Sequence, residues 1–333
     1  MNKYKVAVVG ATGMVGRKFL EVLKERDFPA EEYLLFASKR SAGKVIEFLG
    51  KDYTVIELCE ENIKKHVCDI ALFSAGGSVS KVFAPVFADT GAVVIDNSSQ
   101  WRMDENVPLV VPEVNPEDID RHSGIIANPN CSTIQAVVAL KPLAKYDIKR
   151  IVYSTYQAVS GAGMSGYDDL ANGLKGEAPK SFPTDIAGNC IPHIDVFMDN
   201  GYTKEEIKMI NETKKILNDY ELKITATTVR VPVFHGHSES INVEFNNSFD
   251  LDELRETLKR APGVVVMDDV KNLVYPTPLF AEDKDEVFVG RIRRDDSVEN
   301  GVNLWVVSDN IRKGAATNAI QIAEELIRRE NRL

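Results

Sequence analysis

Apolar positions along this chain fall into two kinds of run. Lys5-Val6-Ala7-Val8-Val9, Asp69-Ile70-Ala71-Leu72-Phe73-Ser74 and Ala92-Val93-Val94-Ile95-Asp96 are short and unbroken, as expected of strands buried on both faces. Tyr33-Leu34-Leu35-Phe36-Ala37 is a further run of this kind. Between these runs the apolar residues space out helically: Val15, Phe19, Val22 and Leu23 after the first, then Val82, Val86 and Phe87 in a helix from about Ser78 to Asp89. Strand and helix alternating in this way predict a doubly wound parallel sheet.

Past residue 130 the pattern changes. Gly124-Ile125-Ile126-Ala127 reads as a strand ended by Pro129, and Ile134, Val137 and Val138 mark a helix that begins near Cys131. A β-rich stretch follows at 151–159, then a long irregular excursion at 176–202. Thr203 and Glu206 have the spacing of a capping box at the start of a helix. Lys223–Phe234 and Ile241–Phe245 read as strands, Leu251–Lys259 as a short helix, and the neighbourhoods of 263–267, 287–292 and 304–307 as further strands. This half predicts one mixed sheet with helices on a face. The last segment, from Asn310 to about Arg329, predicts a helix with Ala315, Ala319, Ile322, Ala323 and Leu326 on its apolar face. It is expected to return to the first domain, its small residues allowing close approach to the glycine loop. The expected division is therefore 1–130 with 311–333, and 131–310.

Composition narrows the function. A chain of 333 residues with 44% hydrophobic content can build two cores. Its net charge of -10 argues against non-specific binding to nucleic acid or anionic membranes. The 4 cysteines, Cys59, Cys68, Cys131 and Cys190, form no CxxC pair and suggest neither a disulfide framework nor a metal site. With no secretory signal and no apolar run of membrane length, the expected compartment is the cytoplasm.

The candidate chemistry lies at the ends of the predicted strands. The first strand runs into Gly10-Ala11-Thr12-Gly13-Met14-Val15-Gly16, a strand, glycine turn and helix that suits a pyrophosphate, although the spacing is GxxGxxG and not GxGxxG. The next strand ends Ser38-Lys39-Arg40-Ser41 where an acid would accept from the ribose 2′-OH of NAD, so the pattern points to NADP. Cys131 at a helix N-terminus has the setting in which a thiol pKa of about 8.5 falls to roughly 3.5–7.5. A structural, buried cysteine is the alternative. Arg102 follows a strand at the same ligand edge. Glu205 and Lys208, at i and i+3, read on spacing alone as a surface ion pair. Arg230 and His237 have an odd offset that would put them on opposite faces of an unbroken strand, but Pro232 and Gly236 offer breaks.

Five blocks, in order along the chain, resemble the aspartate-semialdehyde dehydrogenase family: Gly10–Gly16, Asn130-Cys131-Ser132-Thr133, Tyr156–Gly163, Arg230-Val231-Pro232-Val233 with His237, and Ser308–Ala316. The resemblance implies a Rossmann-type domain followed by an α+β catalytic and dimerisation domain, similar to glyceraldehyde-3-phosphate dehydrogenase. It implies NADPH-dependent reduction of 4-phospho-aspartate to aspartate 4-semialdehyde with release of phosphate, on the way to lysine, diaminopimelate, threonine and methionine. Cys131 would be the acylated nucleophile, His237 the general acid/base, and Gln157 would position substrate. Arg230 would hold the substrate carboxylate and Glu205 its ammonium, with Asn130 beside them; Arg102 and Lys208 would bind phosphate. Gly10, Thr12, Gly13, Met14, Val15, Ser38, Arg40, Ser41, Ser160, Gly161 and Asn310 would contact NADP. A homodimer is implied, with pairing into a homotetramer left open. An N-acetyl-glutamyl-phosphate reductase shares the glycine turn but carries Gly-Cys-Tyr where this chain has Asn130-Cys131-Ser132. A non-catalytic NADP sensor is the alternative of a different class.

Overall fold

The computed structural model describes residues 4–330, and the chain divides into two compact units, one of residues up to Pro129 together with those from Ala315, the other Asn130–Gly314.

In the first unit β1 (Tyr4–Val9) leads through the glycine turn into α1 (Met14–Glu25), and β2 (Ala30–Ala37) follows. A small antiparallel pair, β3 (Val45–Phe48) and β4 (Lys51–Thr54), precedes β5 (Ile56–Glu57) and α2 (Glu60–Lys65). Then come β6 (Ile70–Phe73), α3 (Gly77–Asp89), β7 (Val93–Asp96) and β8 (Ile125–Ala127). The six sheet strands are parallel in the order β5-β2-β1-β6-β7-β8. The chain therefore adds strands on one side of β1 and then crosses to the other. That reversal opens a crevice at the carboxyl ends of β1 and β6, the usual ligand edge of such sheets.

The second unit begins with α4 (Cys131–Leu140). It continues through β9 (Ile148–Gln157), α5 (Gly163–Gly173), α6 (Lys204–Leu217), β10 (Lys223–Arg230), β11 (His237–Phe245), α7 (Leu251–Lys259) and β12 (Val264–Val266). A one-turn helix, α8 (Pro278–Ala281), precedes β13 (Val287–Asp295) and β14 (Gly301–Ser308). The sheet runs β10-β9-β11-β14-β13-β12, with β9/β10 and β12/β13 parallel and the other pairs antiparallel. Along β11, His237, Glu239, Ile241, Val243 and Phe245 are buried, while Ser240, Asn242 and Glu244 on the other face are half-buried. Period-two burial of this kind is what one covered sheet face imposes. The excursion 176–202 makes no helix or named strand, only isolated bridges such as Ile191 with Arg230.

The last helix, α9, spans Thr317–Glu330 and starts later than its periodicity predicts. A wide π turn at Arg312–Ala316 precedes it, with the Asp309 carboxylate accepting from the N–H groups of Ile311 and Arg312. Side-chain capping there satisfies backbone donors before the α-helical register begins. Ala316, Ala319, Ile320 and Ala323 then join Ala11, Phe19, Leu23 and Val8 in the core of the first unit.

Candidate active site

The cofactor crevice is built first by backbone. Gly10 has φ +86, a left-handed conformation that side chains avoid, and a Cβ there would lie 2.7 Å from the Ser74 carbonyl oxygen. Its N–H and that of Ala11 donate to the Phe36 carbonyl, so β2 pins the turn. Gly13 stands at the N-cap of α1 with no side-chain cap, and the first-turn N–H groups of Met14, Val15 and Gly16 have no partner within the helix, as at any helix start. After β2, Ser38, Lys39 and Arg40 are exposed, whereas Ser41 is buried and closes a turn through its N–H to the Ser38 carbonyl (2.8 Å). A glycine turn at a helix start and a cation after β2, with no acid there, fit a 2′-phosphorylated dinucleotide.

Arg102 also belongs to the first unit. It is 7% exposed; its Nε donates to the Asn128 carbonyl (3.0 Å) and its Nη2 to the Asn97 carbonyl (2.9 Å). It is a braced cation and not a free surface arginine.

In the second unit, α4 starts at Cys131. Asn130 caps it, its Oδ1 accepting from Ser132 N–H (3.0 Å) and Thr133 N–H (3.2 Å). Asn130 is in turn held by two carboxylates of α6: Nδ2 donates to Glu205 Oε1 (2.9 Å), and the main-chain N–H donates to Glu212 Oε2 (2.6 Å). Glu205 and Glu212 are seven apart and so share one face of α6. The register of α6 thus bears directly on where the cysteine sits. A Cβ on Gly314 would lie 2.8 Å from the Cys131 Cβ. Gly314, ahead of the last helix, thus makes its close approach to the cysteine, whereas Ala316 and Ala319 share the core of the first unit with Ala11 of the glycine turn.

Glu205 is 6% exposed, which corrects its reading as half of a surface ion pair. α6 turns it inward, where it also accepts from Gln157 Nε2 (3.1 Å) and Lys208 Nζ (3.1 Å). Burial pushes its carboxyl up, but Lys208, Asn130 and Gln157 outweigh burial and leave it at about 2. Lys208 also pairs with Asp195 (2.7 Å). Burial alone would lower the Lys208 ammonium, yet Glu205 and Asp195 raise it above its ordinary value. Asp195 comes from the irregular stretch 176–202, where no periodicity marks it.

Arg230 ends β10 and His237 opens β11. The break between them lets both reach one place: a Cβ on Gly161 would lie 2.9 Å from Arg230 Nη1 and 3.3 Å from His237 Nε2. Both also grip one residue, Ala158. Its N–H donates to His237 Nδ1 (3.0 Å) and its carbonyl accepts from Arg230 Nη1 (2.6 Å). Desolvation, then the Arg230 charge, push the His237 imidazole down to about 3, against the pull of Glu205. It is neutral at pH 7. Burial also lowers Arg230, opposed by Glu205 and Cys131, whose charges act on it. The Ser160 hydroxyl bonds the Asn310 amide, and Asn310 Oδ1 accepts from Gly236 N–H (2.9 Å).

Within the second unit, Cys131, Asn130, Gln157, Glu205, Lys208, Arg230 and His237 are thus linked by hydrogen bonds or mutual charge. Cys68 is buried with its thiol pushed up to about 12, chiefly by desolvation, and Cys190 is exposed. Ala158, Glu212 and Asp195 escaped the sequence reading. Only Glu212 had a signal, its heptad offset from Glu205.

Comparison with known proteins follows this division. A semialdehyde dehydrogenase NAD-binding domain model matches residues 5–122, and a semialdehyde dehydrogenase dimerisation domain model matches 140–313. The aspartate-semialdehyde dehydrogenase of Aquifex aeolicus is 61% identical over 335 residues, covering 98% of each chain. A Vibrio cholerae structure titled aspartate semialdehyde dehydrogenase II complexed with ASA superposes with TM-score 0.94 at 50% identity, over 98% of this chain and 99% of that one. A Candida albicans aspartate semialdehyde dehydrogenase with NADP superposes with TM-score 0.77 at 29% identity, over 98% of each chain.

Proposed function

The chain belongs to the aspartate-semialdehyde dehydrogenase family, and from that membership we propose how its own residues carry the reaction. The activity is that of an NADP-dependent phosphorylating dehydrogenase: 4-phospho-L-aspartate is reduced to L-aspartate 4-semialdehyde with release of phosphate, a step in amino-acid biosynthesis. The single observation that supports the residue assignment best is Cys131 at the start of α4, with its cap tied to Glu205 and Glu212.

Cys131 attacks the acyl phosphate as thiolate, forming a C–S bond while the C–O bond to phosphate breaks. Splitting the reaction this way lets a strong nucleophile displace a good leaving group before reduction. NADPH supplies the hydride that reduces the thioester. Gln157 orients the acyl group. Arg230, one nitrogen of its fork fixed by the Ala158 carbonyl, presents the rest to the substrate carboxylate, and Glu205 receives the ammonium. Lys208 and Arg102 bind phosphate. His237 serves the acyl oxygen. In the first unit Gly10, Thr12, Gly13, Met14, Val15, Ser38, Arg40 and Ser41 contact NADP; in the second, Ser160, Gly161 and Asn310 do.

The protein works in the cytoplasm as a homodimer formed through the second unit. Among the described residues no helix is long and apolar enough to cross a membrane. Phosphate-dependent reduction of NADP by aspartate semialdehyde tests the activity. Acid-quenched enzyme, mixed with acyl phosphate but no NADPH, should carry its acyl group on Cys131 by mass spectrometry. An adduct on Cys59, Cys68 or Cys190 overturns the assignment.

A further inference from the structure

Lys208 stands between two carboxylates. Its Nζ donates to Glu205 Oε2 (3.1 Å) and to Asp195 Oδ2 (2.7 Å). The two bonds differ in kind. Glu205 is buried, and its other oxygen accepts from Asn130 and Gln157, so moving it would disturb the residue that caps α4. The Asp195 and Lys208 side chains are 32% and 25% exposed. The second Asp195 oxygen accepts from its own neighbour, the Val196 N–H (2.8 Å). An ammonium has three N–H donors. Two face carboxylates, and the third remains for an anion. The fold holds Asp195 in place against backbone preference. Its φ is +67, left-handed in a residue with a side chain. The segment around it is tied at both ends. Ile191 and Arg230 exchange main-chain bonds (2.9 and 2.8 Å), and the Val196 carbonyl accepts from Lys204 N–H (2.9 Å) at the start of α6. The His193 and Phe197 rings stack across it at 4.3 Å. Strain of this kind persists where the surroundings over-determine it, and it gathers at ligand sites.

We propose that Asp195 is a positioning residue for Lys208: it holds the ammonium while the site is empty and competes with phosphate for it, which keeps phosphate weakly held and free to leave. This rests on the assignment of Lys208 to phosphate made above. Glu205 is the fixed partner, locked to the cap of α4, and Asp195 is the exchangeable one, open to solvent. Phosphate that takes the ammonium must draw it away from the Asp195 carboxylate or sit beside a like charge. Either way part of its attraction to Lys208 is lost. The charge of Glu205 already opposes that of Asp195, and a phosphate would add to that opposition. Only a carboxylate does both jobs at this position. One oxygen accepts from Val196 N–H and the other from Lys208, whereas an amide has one oxygen and would turn an N–H₂ towards one of those donors.

The test is steady-state kinetics in the oxidative direction, with aspartate semialdehyde, NADP and inorganic phosphate. Asp195→Asn and Asp195→Gly both tolerate the left-handed backbone, so the segment keeps its course in each. In both variants KM for phosphate should fall by about three- to thirtyfold, the range spanned by a solvent-open and a half-buried ion pair. KM for the semialdehyde, whose ammonium Glu205 receives, should move far less. Inhibition of the reductive direction by added phosphate should strengthen to match. A phosphate KM that stays the same or rises overturns the proposal, because Asp195 would then aim Lys208 without competing for it. A double-mutant cycle separates the route. In the Lys208→Ala background, Asp195→Asn should make no further difference to the phosphate KM. The same fall there would mean that Asp195 acts on the anion directly, and the positioning role would be lost. The parent assignment has its own readout: if Lys208→Ala alone leaves the phosphate KM unchanged, Lys208 does not bind phosphate, and the proposal falls with it.

Discussion

The two units put polar chemistry in place in opposite ways. In the first, the crevice is assembled from consecutive residues: β1, the Gly10 turn and α1 are one continuous segment, and Phe36 and Ser74 close in from the next strands of the same sheet. In the second, the side chains around Cys131 come from α4, β9, α6, β10, β11 and the irregular stretch carrying Asp195. Main-chain donors tolerate many side chains around them, so the first kind of site survives most single changes. A network of buried charges does not, because each member left unpaired carries its full desolvation cost.

That contrast is sharpest at Cys131→Ala. It should lower turnover on the order of 10⁴–10⁶-fold, as removal of a nucleophile does, while NADPH binding, followed by cofactor fluorescence, stays nearly intact. Loss of cofactor binding as well would mean that the two kinds of site are not separable.

Arg230→Lys keeps the charge but removes the planar fork that grips Ala158 and that is proposed above to hold the substrate carboxylate. We expect KM for the semialdehyde to rise well over tenfold, a loss of roughly 2–4 kcal/mol for a desolvated contact. An unchanged KM in steady-state assays would make this arginine purely structural.

His237 ties stability to pH. Its pKa falls from the ordinary 6.5 to about 3 on folding, so between those values the unfolded chain binds a proton that the native state does not. Stability is therefore lost as pH falls below 6.5, by about 2 kcal/mol at pH 5. That pH lies above the window, from 4.5 down to about 2, in which Glu205 would be protonated. Denaturant unfolding at neutral pH and at about pH 5 should show a larger drop for the native chain than for His237→Asn. The same drop in both would locate the titrating group elsewhere.

The smallest effect belongs to the first unit. Arg40 is exposed, so Arg40→Ala should weaken NADPH by only about 1–2 kcal/mol after solvent screening, and NADH hardly at all. Equal losses for the two cofactors in titrations would exclude a role in reading the 2′-phosphate.

The amino-acid pattern alone determined the alternating strands and helices, the glycine turn, the mixed second sheet and the capping box at Thr203, because each follows from local sterics and the periodicity of burial. It placed Cys131 at a helix start for the same reason. Tertiary structure decided what spacing cannot express. Glu205 and Lys208 look like a surface pair until α6 turns Glu205 inward beside Asn130. Arg230 and His237 meet because the chain breaks between β10 and β11. The last helix starts late because Asp309 caps a π turn that apolar periodicity does not register. Ala158 holds both His237 and Arg230 through its N–H and carbonyl, a pair that every residue but proline has. Its side chain says nothing of that role; only the distance to His237 and Arg230 in the folded chain does.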